Sequence, residues 1–251
     1  MSTRSGSFNE IATEYDRYRP RYPEELAAVV ADGLRAGPRV VDVGAGTGIV
    51  LEWLLPRLET PEVQAVDISE GMVDAGRKKF PFVKWHVGRV EDVLPSLGKN
   101  DLIVAGQAYQ WFEREEFLDA AYGSLAEGGR LAVIQNNRVH VGSEMLSAYE
   151  DLLETNSPGY TRGYRDIDIF GEMAGVFGEQ GTAVRVERRR WSRSMQVDDF
   201  VGMASSSTQV QRAVDAKGPG VLDDIRSLSG KYAIDGVVSV PYETELFIAD
   251  R

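Results

Sequence analysis

The amino-acid sequence predicts an α/β fold built on a doubly wound, mostly parallel sheet of seven strands. Three observations lead there. Apolar strand-like segments alternate with helix-patterned ones between residues 40 and 135, the rhythm of strand–helix–strand units. The stretch VVDVGAGTGIV at residues 40–50 reads as a buried strand, a glycine turn and the start of a helix. Nineteen residues beyond Gly48 stands Asp67, closing a second apolar strand, VQAVD. Such strands connect right-handedly and leave ligands outside their carboxyl ends. The class is therefore Rossmann-like, with helical cap insertions expected around the sixth strand.

The elements follow in order. Residues 7–19 carry a helical pattern. Pro20 and Pro23 then punctuate the chain, and a helix runs from about Pro23 to Leu34, with proline at its start, where the missing N–H is no loss. Val40–Val43 leads into a helix near Ile49–Arg57, and Val63–Val66 into one near Glu70–Lys79. Phe82–Val87 is joined by a short connection to Asp101–Ala105. A helix near Glu113–Ala126 passes through Gly128-Gly129 into a strand at Arg130–Gln135. The rhythm then breaks: residues 138–166 contain NSPGYTRGY, rich in turn formers and tyrosine. A helix near Ile167–Phe177, a strand from about Ala183 to Trp191, a helical stretch over 197–230 and a strand at Glu243–Ala249 complete the pattern. Residues 138–166 and 197–235 are the two cap insertions, residues up to about 35 a lid, and 1–251 reads as one domain.

Composition narrows the function. With no cysteine and two histidines, disulfides, thiolate metal sites and a cysteine nucleophile are excluded, and no metal cofactor is expected. A formal charge of −11 opposes a phosphate-contact grip on nucleic acid. The arginines at 185–193, within VRVERRRWSRS, alternate as one solvated face of a strand. No run approaches the ~18 apolar residues of a membrane span, and no signal peptide precedes the first helix. A cytoplasmic, soluble protein is expected, monomeric or homodimeric, acting on a small molecule and not on nucleic acid or membrane.

The glycine turn points to a particular ligand. Glycines allow positive φ and let a ligand press against main chain, and an acid at the position of Asp67 can accept both hydroxyls of a ribose. The spacing is GxGxG, not GxGxxG, and Asp42 sits two residues before the first glycine. A carboxylate opposes a pyrophosphate, which wants N–H groups and positive charge. It suits S-adenosylmethionine (SAM), which carries an ammonium and a sulfonium. Gly44, Ala45, Gly46 and Gly48 would approach the methionine part, with Asp42 orienting the turn or reaching the ammonium. Ile68 and Met72 would pack on adenine, although a methionine on an apolar helix face also serves as core filler. Gly106 and Gln107 end the fourth strand near the reacting centre. Arg19 could pair with the SAM carboxylate or be solvated.

Aromatic residues suggest the other half of the site. Tyr15, Tyr18 and Tyr22 punctuate the N-terminal segment, either as a lid that excludes water or as packing on the sheet. Tyr109, Trp111 and Phe112 follow the fourth strand and would wall an acceptor pocket, Phe112 being the most core-like. Asn137 and His140 lie just beyond the fifth strand, and His140 is the one histidine placed to act as a base. His86 reads as structural. Tyr160, Arg162, Tyr164 and Arg165 could meet an anionic acceptor or form a solvated loop.

On these motifs the chain resembles the class I SAM-dependent methyltransferases, in the small-molecule branch of trans-aconitate methyltransferase-like enzymes. YRPRYP, VVDVGAGTG, AVDISEGMVDAGRKK, AGQAYQWF, LAEGGRLAVIQNNR, WSRSMQVDDFVGMASSS and VPYETELFIADR occur in the branch's order and spacing. The resemblance implies methyl transfer from SAM to a small-molecule acceptor (oxygen, nitrogen or carboxylate) of secondary metabolism, with S-adenosylhomocysteine as product. Two positions depart from the branch. Gln110 stands where histidine is frequent, removing an imidazole base from a position otherwise read as catalytic. Arg89 stands where aspartate is common, which passes the adenine contact to Val90 backbone and Glu91. A non-catalytic SAM-binding regulator and a nicotinamide-dependent oxidoreductase are the alternatives; the GxGxG spacing and Asp42 oppose the second.

Overall fold

The computed structural model describes residues 16, 18–164 and 166–251. Tyr15 and Arg165, and with them most of the expected 7–19 helix, lie outside the described residues. From Glu24 onward the elements are α1 (Glu24–Ala31), β1 (Arg39–Val43) and α2 (Ile49–Leu54), then β2 (Glu62–Asp67), α3 (Glu70–Lys79) and β3 (Lys84–Val87). Next come a single turn, α4 (Val90–Val93), β4 (Asn100–Gly106), α5 (Arg114–Ser124) and β5 (Leu125–Arg138). Beyond these lie α6 (Glu144–Asn156), α7 (Ile169–Glu179), β6 (Val184–Gln196), α8 (Val197–Ser205), α9 (Thr208–Lys217), α10 (Gly220–Tyr232) and β7 (Val237–Asp250).

The strands form one seven-stranded sheet in the order β3-β2-β1-β4-β5-β7-β6. Strands β1 to β5 pair in parallel, and β7 runs antiparallel to both β5 and β6. Strand order reverses between β1 and β4, so their carboxyl ends diverge there, where α/β sheets place ligands. The parallel strands are near-continuous apolar runs because helices cover both faces. One layer packs α5 and α7 through Phe117, Leu118, Met173 and Phe177. The other packs α1 and α2 through Leu26, Val30 and Leu54. A separate core joins α6, α8, α9 and α10 to the ends of β6 and β7.

Several boundaries differ from the sequence reading, and β5, β6 and β7 run beyond the expected strands. Residues 144–156, within the first expected cap insertion but given no helix of their own, form α6: Ser143 accepts the Leu146 N–H at 3.3 Å as an N-cap, and Met145, Leu146, Tyr149 and Leu153 form its buried face. The turn formers of NSPGYTRGY follow that helix instead of replacing it. The helix expected to reach Ala126 ends at Ser124, because Leu125 already pairs with Asn100. The 197–230 stretch divides into three helices at Ser206–Ser207 and Gly218-Pro219. On β6 the arginines form the expected charged face: Arg188 and Arg190 sit opposite Glu245 and Glu243 on β7 and bond them at 2.9 and 2.5 Å. His86 bonds the Gln64 side chain at 3.0 Å across β2 and β3, a structural role.

Candidate active site

The turn after β1 is built by glycine. Gly44 and Gly46 take φ of +66° and +56°, and Gly48 one of +87° at the N-terminus of α2, left-handed values that cost other residues about 1–2 kcal/mol. Their surroundings differ. A Cβ at Gly44 would lie 2.4 Å from the Ala108 Cβ, and one at Gly48 2.8 Å from the Phe80 ring, whereas one at Gly46 would meet nothing within 4 Å. Gly46 therefore faces open space. Gly48, expected to touch a cofactor, is instead a packing glycine, and it borders neither lobe of the cleft described next.

Gly44, Gly46, Gly106 and Gln107 form the shared waist of a two-lobed cleft. The first lobe, about 360 Å³ and mainly apolar, is bordered by Asp67, Ile68, Met72, Val90, Glu91, Trp111 and Phe112. Asp67 accepts the Gly46 N–H at 2.7 Å and the Ser69 N–H at 2.8 Å, tying the second strand to the glycine turn. Burial raises its pKa, against the pull of these amides. Ile68 and Trp111 are exposed on the rim, 68% and 59% accessible, while Met72 is buried in the wall. Glu91 is already engaged: its carboxylate accepts the Glu113 N–H at 2.8 Å and faces Arg89 at 3.5 Å.

Asp42 lies behind the turn. Its side chain is fully buried, and neither oxygen has a hydrogen-bond partner among the described residues. Burial, reinforced by the nearby Asp67, pushes its pKa well above the ordinary carboxylate range. A buried, unpaired acid next to a glycine turn calls for a cationic or donor-bearing partner.

The second lobe, about 210 Å³, is polar. Arg19, Ala45, Thr47, Asn137, His140 and Tyr164 border it, as do Arg138, Glu150 and Tyr160. The His140 carbonyl accepts the Ser143 N–H and the Ser147 hydroxyl, both at 3.0 Å, which anchors the loop leading into α6. Asn137 donates to Glu245 at 3.4 Å, and its own carbonyl oxygen has no partner among the described residues. Arg162 is held by Asp151 and Glu154 and closes the lobe as part of an ion-pair cluster.

Five expected site residues sit elsewhere. Tyr109 is fully buried among Phe117 and its neighbours, and its hydroxyl donates to Glu172 at 2.7 Å. It is a core residue because the 3-10 turn Tyr109–Trp111 rotates it inwards. The same turn directs Trp111 and Phe112 to the apolar lobe and not to the acceptor side. Gln110 borders neither lobe; its amide donates to the Gln107 carbonyl at 2.9 Å, pinning the turn that places Gln107 at φ +55°. Tyr18 packs against Gly202 of α8, and its carbonyl accepts from Arg193 at 2.7 Å.

The methyltransferase domain family matches residues 40–129, the span carrying the glycine turn, Asp67 and the apolar lobe. An uncharacterized methyltransferase of Schizosaccharomyces pombe is 32% identical over 212 residues, covering 82% of this chain and 80% of the relative. The chain belongs to the class I SAM-dependent methyltransferases. A trans-aconitate 2-methyltransferase of Variovorax paradoxus is 34% identical over 136 residues, covering 53% of this chain and 52% of the relative. A SAM-dependent methyltransferase of Thiobacillus denitrificans, solved with S-adenosyl-L-homocysteine, shares the fold at 18% identity and a TM-score of 0.54, covering 100% of this chain and 99% of that one. The Variovorax paradoxus relative is thus matched over about half its length.

The cleft of this methyltransferase fits its cofactor. The apolar lobe provides flat and aliphatic surface beside Asp67, and the orphaned Asp42 lies beneath the turn that joins the lobes. Arg138, Glu150, Ser207 and Gln209, which border the polar lobe, were not singled out in the sequence. The signal for Glu150 was present in EMLSAYEDLL, whose apolar residues recur at helical spacing after the cap Ser143. Among the described residues, no group of three or more His, Cys, Asp or Glu is placed to hold a metal ion. Nor is any helix there long and apolar enough to cross a membrane.

Proposed function

We propose that the enzyme methylates a carboxylate oxygen of a small-molecule acid seated in the polar lobe. One observation carries this reading. Arg138 borders that lobe with its Nε lacking a partner among the described residues, while Nη2 is held on Glu150 at 3.2 Å. A fixed guanidinium with a spare donor is suited to a carboxylate. The resemblance to trans-aconitate 2-methyltransferase and to a malonyl-[acyl-carrier protein] O-methyltransferase of Methylococcus capsulatus, 36% identical over 137 residues, supports an acid acceptor. Residues 138–166 and 197–235 serve as the cap over this lobe.

When bound, SAM supplies a methyl group activated on a sulfonium. The chain's own residues then act by placement. Asp67 would receive the ribose, Ile68, Met72 and Trp111 would flank the base, and the backbone at Gly44 and Gly46 would hold the methionine part. Asn137 and Arg138 would hold the acid in the polar lobe, facing the waist, and alignment of the reacting groups lowers a barrier by about 7–11 kcal/mol. An ionised carboxylate needs no proton removed before attack, so glutamine at position 110 costs nothing. Labelled-methyl SAM offered with pooled carboxylic acids, amines and phenols tests the reading. The label is expected in base-labile methyl esters; label confined to base-stable products would refute an acid acceptor.

A further inference from the structure

The polar lobe contains a three-residue arrangement that placement of an acid alone does not require. Glu150, 4% exposed on α6, accepts the hydroxyl proton of Tyr160 and bonds Arg138 at 3.2 Å. Arg138 also stacks over Tyr149 at 5.2 Å, and the Tyr160 ring is braced by Tyr164 at 5.4 Å. All three members of the triad border the lobe. One carboxylate thus fixes two neighbouring groups with opposite hydrogen-bonding capacity. A phenol has one proton and two lone pairs, and the Tyr160 proton is committed to Glu150. Burial and that carboxylate push the Tyr160 hydroxyl above the ordinary phenol range, so it stays protonated. Towards a ligand it can therefore only accept. Arg138, with no lone pairs, can only donate.

From this pairing, and resting on the acid-acceptor reading above, we infer that the lobe selects an acid bearing a hydrogen-bond donor beside its carboxylate. The substrate class is a hydroxy acid or amino acid, its carboxylate on Arg138 and its O–H or N–H donated to the Tyr160 oxygen. An unsubstituted acid would leave that oxygen buried without a donor. An O-alkylated one would set two acceptors against each other.

The test uses matched probes with the full-length enzyme and labelled-methyl SAM: malate, succinate and 2-methoxysuccinate. Malate keeps the donor, succinate lacks the group, and 2-methoxysuccinate keeps the oxygen without its proton. The wild type is expected to show kcat/KM for malate at least about tenfold above both others. Y160F should bring the malate-to-succinate ratio to within about twofold of one, with S-adenosylhomocysteine binding heat confirming that the variant is folded. Equal use of malate and 2-methoxysuccinate by the wild type would overturn the inference while leaving the acid-acceptor reading standing, and needs no variant. A malate preference that survives in Y160F would overturn it too. Transfer to none of the three, with label appearing in amines or phenols, would refute both readings.

Discussion

Two alanines, placed two residues apart, separate what the glycine turn does for the fold from what it does for the ligand. In G46A, φ of +56° strains a side chain, and nothing stands within 4 Å of the new Cβ. The fold should lose only the left-handed penalty of about 1–2 kcal/mol, or roughly 2–8 °C in Tm for a chain of this size. The methyl group, however, enters open space between the two lobes, where the proposed function puts the methionine part of SAM. Overpacking costs about 1–3 kcal/mol, which is roughly a 5- to 150-fold loss of affinity. In G44A the same strain at φ +66° is joined by overlap with the Ala108 Cβ at 2.4 Å and the Phe112 ring at 3.2 Å. The sum is about 2–5 kcal/mol, so roughly 4–20 °C. Calorimetric titration with S-adenosylhomocysteine and thermal melts of both variants read the two effects independently. If G46A bound the product as tightly as the wild type, the cofactor would not lie against this turn.

Other consequences follow from the same site. Asp42 has a native pKa raised by burial above its unfolded value, so between those two values the native state holds more protons than the unfolded chain, and its contribution to stability falls as pH rises. D42N should remove that fall in ligand-free melts taken upward from the ordinary carboxylate range, and wild-type and variant curves running parallel would refute it. Tyr109, removed from the acceptor wall by the structure, donates its proton to Glu172 at 2.7 Å. Y109F should lower stability by about 0.5–1.5 kcal/mol, some 1–6 °C in Tm, with methyl transfer unaffected; a large fall in kcat would return Tyr109 to the site. Trp111, 59% exposed on the rim of the apolar lobe, should behave in the opposite way. W111A is expected to alter stability by less than about 0.5 kcal/mol while weakening product binding roughly 2- to 12-fold, the range of an aromatic contact of about 0.5–1.5 kcal/mol.

The glycine turn and the apolar lobe beside it were legible because they are local. A strand, a glycine turn, a helix and an acid at the end of the next strand occupy residues 40–67, and each position has a backbone reason that a single sequence displays. The acceptor half was not. Arg138 ends β5, Glu150 lies on α6, Tyr160 follows it, and Ser207 and Gln209 begin α9. Only the packing of the cap brings them together. The cap itself was partly hidden, since NSPGYTRGY drew attention to its turn formers and away from the apolar spacing of the preceding residues. The exchange of Tyr109 with Phe112 has a smaller cause. Both follow β4 within six residues, and which one enters the core depends on the sense of a single 3-10 turn, which residue types do not dictate. Gly48 shows a further limit: a motif glycine may serve a ligand or a neighbour, and only Phe80 and Trp85 pressing against it decide.

The start of α9 links the two halves. Ser207 caps that helix, accepting the Val210 N–H at 3.3 Å. Thr208 borders the apolar lobe, whereas Ser207 and Gln209 border the polar one. Adjacent residues of one rigid turn thus contribute walls to both cavities. A group in the apolar lobe would lie against Thr208 and one in the polar lobe against Ser207 and Gln209, so one helix start would face both ligands. The glycine waist, where the lobes meet, is also where the reacting atoms would have to meet.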